Sequence, residues 1–302
     1  MTVDGQGVPA VVVGVDGSES ALGAVRWAAG EAARRSAPLR LVGVLEWSAY
    51  RPPAAAGVLP DGDRDVLLEH LRKELTGAAA QARALVPELT VTYDILIGSP
   101  KRALLQEAGT AALLVLGSRG RGGFTGLLAG SVSMALSAAA PCPVVVVRGK
   151  GVPDGPVVVG VDGSPESARA LRFAVESAAR LGAPVLAVRA WSHDRIDPYV
   201  LELVQWDGVE DDERRQLENS VLPARQARPD VPITTELVRG HPAQALLAAG
   251  ERAQLLVVGS RGNGGVTGLL LGSISRSVLH HAHCPVAVLT EPPEPAVSDI
   301  QP

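Results

Sequence analysis

Two hydrophobic patterns alternate along the chain. Short runs dense in valine and leucine are separated by longer stretches in which apolar residues return every three or four positions. Val11–Val15 reads as a buried strand. Ser18 stands where a helix N-cap is needed, and Ala21, Val25, Ala28 and Ala32 then follow at helical spacing. The same reading predicts strands at Leu39–Leu45, Val91–Ile97, 112–116 and Val144–Val147. Between them it predicts helices over 66–85, Pro100–Ala108 and 131–138. Apolar strands without polar alternation are buried on both faces. Separated by helices, they predict an α/β fold: a parallel, doubly wound sheet with right-handed crossovers.

The pattern then repeats. Val11-Val12-Val13-Gly14-Val15-Asp16-Gly17-Ser18 recurs letter for letter from Val157 to Ser164, an offset of 146. Gly117-Ser118-Arg119-Gly120 recurs from Gly259 to Gly262, an offset of 142, and 18 of the 31 residues from Gly117 to Val147 match without a gap. Trp47-Ser48 returns as Trp191-Ser192, an offset of 144. This places the four-residue loss in two steps. The chain reads as two tandem domains, 1–150 and 151–302, joined by the linker-like stretch 149–155. The proline-rich tail 291–295 cannot continue a strand or helix.

Composition narrows the class. The 302 residues are 46% hydrophobic and 20% charged, which excludes a disordered chain. No apolar run reaches the ~18–20 residues of a membrane span, and the first residues, MTVDGQGVPA, lack a signal peptide's apolar region. Two cysteines fit a reducing compartment, so a cytoplasmic protein is expected. The net charge of −4, without a long basic run, gives no footprint for nucleic acid or an anionic membrane.

Two segments fall at strand carboxyl ends, where ligands of doubly wound sheets bind. One is Gly14-Val15-Asp16-Gly17-Ser18. The other begins Gly117-Ser118-Arg119-Gly120, continues through Arg121 to Ala129, and opens a helix at Gly130-Ser131. Glycines let a backbone approach a ligand closely. A helix N-terminus offers unpaired N–H groups and a positive dipole end. Together with the hydroxyls of Ser131 and Ser133 and the charge of Arg119, these make a candidate phosphate cradle. Asp16 suits a ribose hydroxyl or a base amino group. The P-loop signature Gly-x4-Gly-Lys-Ser/Thr is absent, and none of the three lysines (Lys73, Lys101, Lys150) lies in either loop. No catalytic residue is assigned.

The spacing Gly-x2-Gly-x9-Gly-Ser, after a strand ending Gly-Val-Asp-Gly-Ser, resembles the universal stress protein family, in particular its ATP-binding branch in tandem form. The resemblance implies a five-stranded parallel sheet of order 3-2-1-4-5 in each domain. It also implies one nucleotide per domain. In the first, Gly14, Val15 and Asp16 meet ribose and adenine, and Val44 lies at the adenine edge. The phosphate loop there is Gly117, Arg119, Gly120, Gly130, Ser131, Val132 and Ser133. In the second the corresponding residues are Gly160, Val161 and Asp162, with Val188 at the adenine edge. Its loop is Gly259, Arg261, Gly262, Gly272, Ser273, Ile274 and Ser275. The implied cofactor is ATP, with Mg2+ held through its phosphates. The implied role is a nucleotide-dependent sensor in stress responses that acts on protein partners not named by the sequence; a slow ATPase or phosphotransferase is the alternative. The family's fifth strands pair antiparallel about a two-fold axis, which sets Cys142 and Cys284 at opposite ends of that ladder as free thiols. A homodimer of whole chains is a further expectation.

Other motifs are set aside. His280-His281-x-His283-Cys284 spans a helix end, where successive side chains diverge, and His241 is expected in solvent. Asp61-Gly62-Asp63-Arg64-Asp65 opens like a calcium loop, but Val66 and Arg72 replace the required glycine and glutamate, so a solvated loop is expected. Trp47 and Trp191 end the second strands and flank the expected nucleotide or pack in the core, while Trp27 and Trp206 read as core or interface.

Overall fold

The computed structural model describes residues 8–46, 61–120, 129–192, 206–263 and 271–290. The first half runs β1 (Val11–Val15), α1 (Glu19–Arg34), β2 (Leu39–Leu45), α2 (Asp61–Leu85), β3 (Val91–Ile97), α3 (Pro100–Ala108), β4 (Leu113–Gly117), α4 (Ser131–Ala139) and β5 (Val144–Val147). The second runs β6 (Val157–Gly160), α5 (Pro165–Leu181), β7 (Val185–Trp191), α6 (Trp206–Ala227), β8 (Ile233–Arg239), α7 (Pro242–Gly250), β9 (Leu255–Gly259), α8 (Ser273–His281) and β10 (Val286–Leu289). Ser18 and Ser164 cap α1 and α5 as expected, their hydroxyls accepting the N–H groups of Ala21 and Ser167 at 3.1 Å.

Ten strands form one sheet in the order β3-β2-β1-β4-β5-β10-β9-β6-β7-β8. Each half shows the expected order 3-2-1-4-5, with parallel neighbours. Inward-facing residues alternate between two apolar layers, because successive side chains of a strand point to opposite faces. Val11, Val13, Leu39 and Leu41 pack with α1 and α2 on one face. Val12, Val42, Leu114 and Val144 pack with α3 and α4 on the other.

The halves join through antiparallel pairing of β5 with β10, Val144 opposite Val288 and Val146 opposite Val286. This ladder runs Cys142 and Cys284 to opposite ends, about 20 Å apart at ~3.4 Å per residue. Both are free and buried. Beside the seam, α1 meets α5. Glu31, 3% exposed, lies within 2.6 Å of Arg35 Nε, 3.2 Å of Arg34 Nη2 and 3.6 Å of Arg180 Nε from α5. The Arg35 guanidinium also stands 5.6 Å from the centre of the Phe173 ring.

Two expectations need correction. Residues 61–65 are not a loop; the helix begins at Asp61. Acidic residues in a first turn complement the helix dipole, and this outweighs their turn-forming tendency. The second correction concerns register. β2 and β7 are both seven residues long with the same burial sequence, and Val11 pairs with Leu39 as Val157 pairs with Val185. The Gly98 N–H bonds the Leu45 carbonyl at 3.0 Å, and the Gly240 N–H bonds that of Trp191 at 2.9 Å. Trp191 is therefore the counterpart of Leu45, not of Trp47. The offset stays 146 through the second strand. It is already 142 at the ends of α2 and α6, where Arg83 bonds the Val91 carbonyl and Arg225 that of Ile233. All four residues are lost between the end of the second strand and the end of the helix that follows it.

Two outcomes follow from the seam. Glu31→Gln leaves three guanidinium groups around a neutral amide. Breaking a wholly buried ion pair costs ~3–5 kcal/mol. These arginines are 15–34% exposed, so a smaller loss is expected, about 1–3 kcal/mol by urea denaturation. Burial also pushes both thiols up to about 11. Unfolded thiols ionise near 8.5, so this contribution to stability is whole below that pH and is lost as pH rises toward 11. Iodoacetamide at pH 8 is expected to leave both cysteines of the native chain largely unmodified and to alkylate both rapidly once the chain is denatured.

Candidate functional site

The site begins where β1 stops. Past Val15 the chain turns, and Asp16 Oδ1 accepts the Ser18 N–H at 3.1 Å and the Ser18 hydroxyl at 2.7 Å. Adjacent in the sheet, β4 ends in Gly117. A Cβ on Gly117 would lie 2.7 Å from the backbone carbonyl carbon of Ser20, in the first turn of α1. A Cβ on Gly120 would lie 2.5 Å from Asp16 Oδ2. Here the motif glycines serve close approach: they let one strand end fold over the other.

The loop closes on α4. The Gly130 N–H bonds the Ser118 carbonyl at 2.9 Å, and Gly130 is the extended N-cap of the helix, with no side-chain cap. The N–H groups of Ser131, Val132 and Ser133 therefore have no intrahelical acceptor. Ser131 is exposed, whereas Ser133 is buried and donates its hydroxyl hydrogen to the Gly117 carbonyl at 2.8 Å. Ser133 thus braces the loop and can only accept at its oxygen, which changes the role expected for it. Residues 121–128 of this loop and 264–270 of its counterpart lie outside the described residues.

These parts surround a cleft of about 640 Å³, within the size range of small-molecule sites. It brings together every residue expected of the first site: Gly14, Val15, Asp16, Val44, Gly117, Arg119, Gly120, Gly130, Ser131, Val132 and Ser133. It also has a wall that the sequence reading missed. Leu67, His70, Leu71 and Glu74 of α2 face it, as do Pro100 and Leu104 of α3. His70 Nε2 lies 2.9 Å from Glu74 Oε1, and the Glu74 carboxylate lies over Gly17. Leu67 and Leu71 lie within the helix expected over 66–85, but helical spacing does not distinguish a core face from a cleft wall.

The phosphate side is cationic. Arg119 lies in the loop. Burial and the neighbouring Arg119 both disfavour charge on Arg148, which follows β5. His280, from α8 of the other half, is held below its usual range by burial and by His281, Arg148 and Arg276. The histidine run does not converge: His280 is half-buried, His281 and His283 are exposed, and the first two rings are 6.2 Å apart and tilted by 60°. His241 is exposed.

The second half repeats the frame. Ser164 donates its N–H and hydroxyl to Asp162 Oδ1 at 2.9 and 2.6 Å. Gly262 lies against Asp162 Oδ2, the Gly272 N–H bonds the Ser260 carbonyl at 2.8 Å, and Ser275 donates to the Gly259 carbonyl at 2.5 Å. Ser273 opens α8, and Ile274 packs partly into the apolar layer. Gly160 ends β6, followed by buried Val161, and Arg261 stays half-buried in the loop. The register moves two residues: Val188 sits opposite Gly160 as Val42 sits opposite Gly14, so the counterpart of Val44 is Ala190. The counterpart of Gly43 is Arg189. Asp162 also accepts the Asn263 N–H on Oδ2 at 3.0 Å and the Asn263 side-chain amide on its backbone oxygen at 2.6 Å. Burial alone would raise its pKa, but the donors of Ser164, Asn263 and Ser167 hold the carboxyl below the usual range. Trp191 is buried and carries the Arg239 guanidinium 5.5 Å from its ring centre; Trp27 packs half-buried on the core, and Trp47 lies outside the described residues.

The sequence profile of the universal stress protein family matches residues 8–148 and again 155–290. The chain belongs to the universal stress protein family. A universal stress protein of Mycobacterium tuberculosis is 37% identical over 293 residues, covering 92% of this chain and 96% of the relative. A second from the same organism is 36% identical over 299 residues, covering 93% and 96%. The crystal structure of a universal stress protein from Archaeoglobus fulgidus superposes with a TM-score of 0.68 at 22% identity, covering 93% of this chain and 98% of that one, and so shares its fold.

Gly117→Ala in this universal stress protein forces the Ser20 backbone aside. Overpacking of this kind costs ~1–3 kcal/mol, and a lowered thermal midpoint is the expected readout.

Proposed function

We propose that this universal stress protein binds an adenine nucleotide in the cleft of its first domain and works as a nucleotide-dependent regulator. The observation that carries this reading is the convergence of three chemistries in one cleft. A carboxylate stands at the end of β1, an apolar stretch of Val42, Val44 and Leu71 beside it, and an uncapped helix N-terminus with Arg119 at the far end. Apolar surface suits a purine face, the carboxylate of Asp16 suits ribose hydroxyls, and first-turn N–H groups suit phosphate oxygens. ATP is the nucleotide that the motif spacing favours, with Mg2+ carried on its phosphates. Stress adaptation is the role suggested by family membership. No helix among the described residues is long and apolar enough to cross a membrane.

A ligand bound only by the folded state raises stability by ~2.7 kcal/mol at a hundred times its dissociation constant. Thermal melting with millimolar ATP and Mg2+ is expected to show a clear rise in midpoint for the wild type and little or none for Asp16→Ala. An unchanged midpoint in the wild type would count against nucleotide binding.

A further inference from the structure

The two clefts share one frame but differ in chemistry. Resting on the nucleotide reading above, we propose that only the first cleft admits a nucleoside, and that Arg189 is the specificity-determining residue that closes the second.

The floor differs first. At Gly43 no side chain rises from β2, and the facing wall is Leu71. At the matching position of β7, Arg189 is 9% exposed. It donates from Nε to Glu213 Oε2 at 2.5 Å and from Nη2 to Gln216 Oε1 at 2.7 Å. By the 142-residue offset fixed at the ends of α2 and α6, Glu213 and Gln216 replace Leu71 and Glu74. The guanidinium extends over the end of β6, where a Cβ on Gly163 would lie 3.8 Å from its Nη1. That nitrogen is buried and has no acceptor among the described residues. Where the first wall presents the apolar Leu71, the second presents one arm of a charged clasp. To admit a purine, Arg189 would have to leave two acceptors, and one buried charge would lose its partner.

Two further differences act in the same direction. The Asn263 side-chain amide donates to the Asp162 backbone oxygen at 2.6 Å, and the matching residue of the first half is Arg121. The phosphate lip also differs. Next to Gly117 stands the Ser20 hydroxyl, but next to Gly259 stands Glu166, 3.6 Å from Arg169. Arg148, beside Arg119 at the first cradle, corresponds at the same offset to Thr290 at the second. The Thr290 hydroxyl is spent on the Ala140 carbonyl.

Calorimetric titration of the full chain with ATP and Mg2+ tests this. One site per chain is expected in the wild type, and Asp16→Ala is expected to abolish binding. Arg189→Gly is expected to raise the stoichiometry toward two, with far-ultraviolet circular dichroism and melting confirming that it folds. Two sites in the wild type overturn the asymmetry, and so does binding that survives in Asp16→Ala. A folded Arg189→Gly chain that still binds one nucleotide overturns the role given to Arg189. No binding to the wild type removes the nucleotide reading itself, and this proposal with it. If Arg189→Gly does not fold, the wild-type stoichiometry and the Asp16→Ala result still decide whether the clefts differ.

Discussion

The contact between the end of β4 and the first turn of α1 governs the site. Gly117 approaches Ser20 so closely that no side chain fits between them. This approach brings the loop after β4 over the loop after β1, and Gly120 can then rest on the Asp16 carboxylate. From there the chain returns to Gly130, whose N–H is tied to Ser118, and α4 starts with its open donors facing the same hollow. Three segments distant in sequence are held together by backbone proximity more than by side-chain bonds. That is why the motif is written in glycine.

The sheet itself depends on a simpler constraint. Its central strands are nearly all valine, leucine and alanine, buried from both sides. Such strands lie between two layers of helices, and right-handed crossovers then leave only a few topologies open to each half. This is why the positions of β1, β4 and α4 could be read from the sequence pattern, whereas the strand order came only from the family resemblance. The apolar run, the cap at Ser18 and the glycines each point to the same element, and consistency of that kind marks a well-specified fold.

What the sequence concealed has equally physical causes. The Asp-rich start of α2 carries turn formers that the dipole of a long helix tolerates. The tryptophan pair suggested a register that the hydrogen bonds of Gly98 and Gly240 refute, because the pairing of whole strands outweighs two letters. The cleft wall of Leu67 and Leu71 resembles any core face until the helix is placed. Arg189 gave no signal at all: an arginine in a strand reads as an edge or surface residue. Its partners lie more than twenty positions downstream on α6, and only the folded chain brings them together.

The antiparallel seam between β5 and β10 has an evolutionary corollary. In an assembly of two identical subunits joined this way, every substitution would appear twice, and a pocket could not be lost on one side and kept on the other. Fusing the subunits into one polypeptide lifts that restriction and makes the union independent of concentration. One half can then conserve a chemistry while its twin drifts toward a purely mechanical part, such as a brace, a lever or a docking face, without dissolving the partnership that supports both.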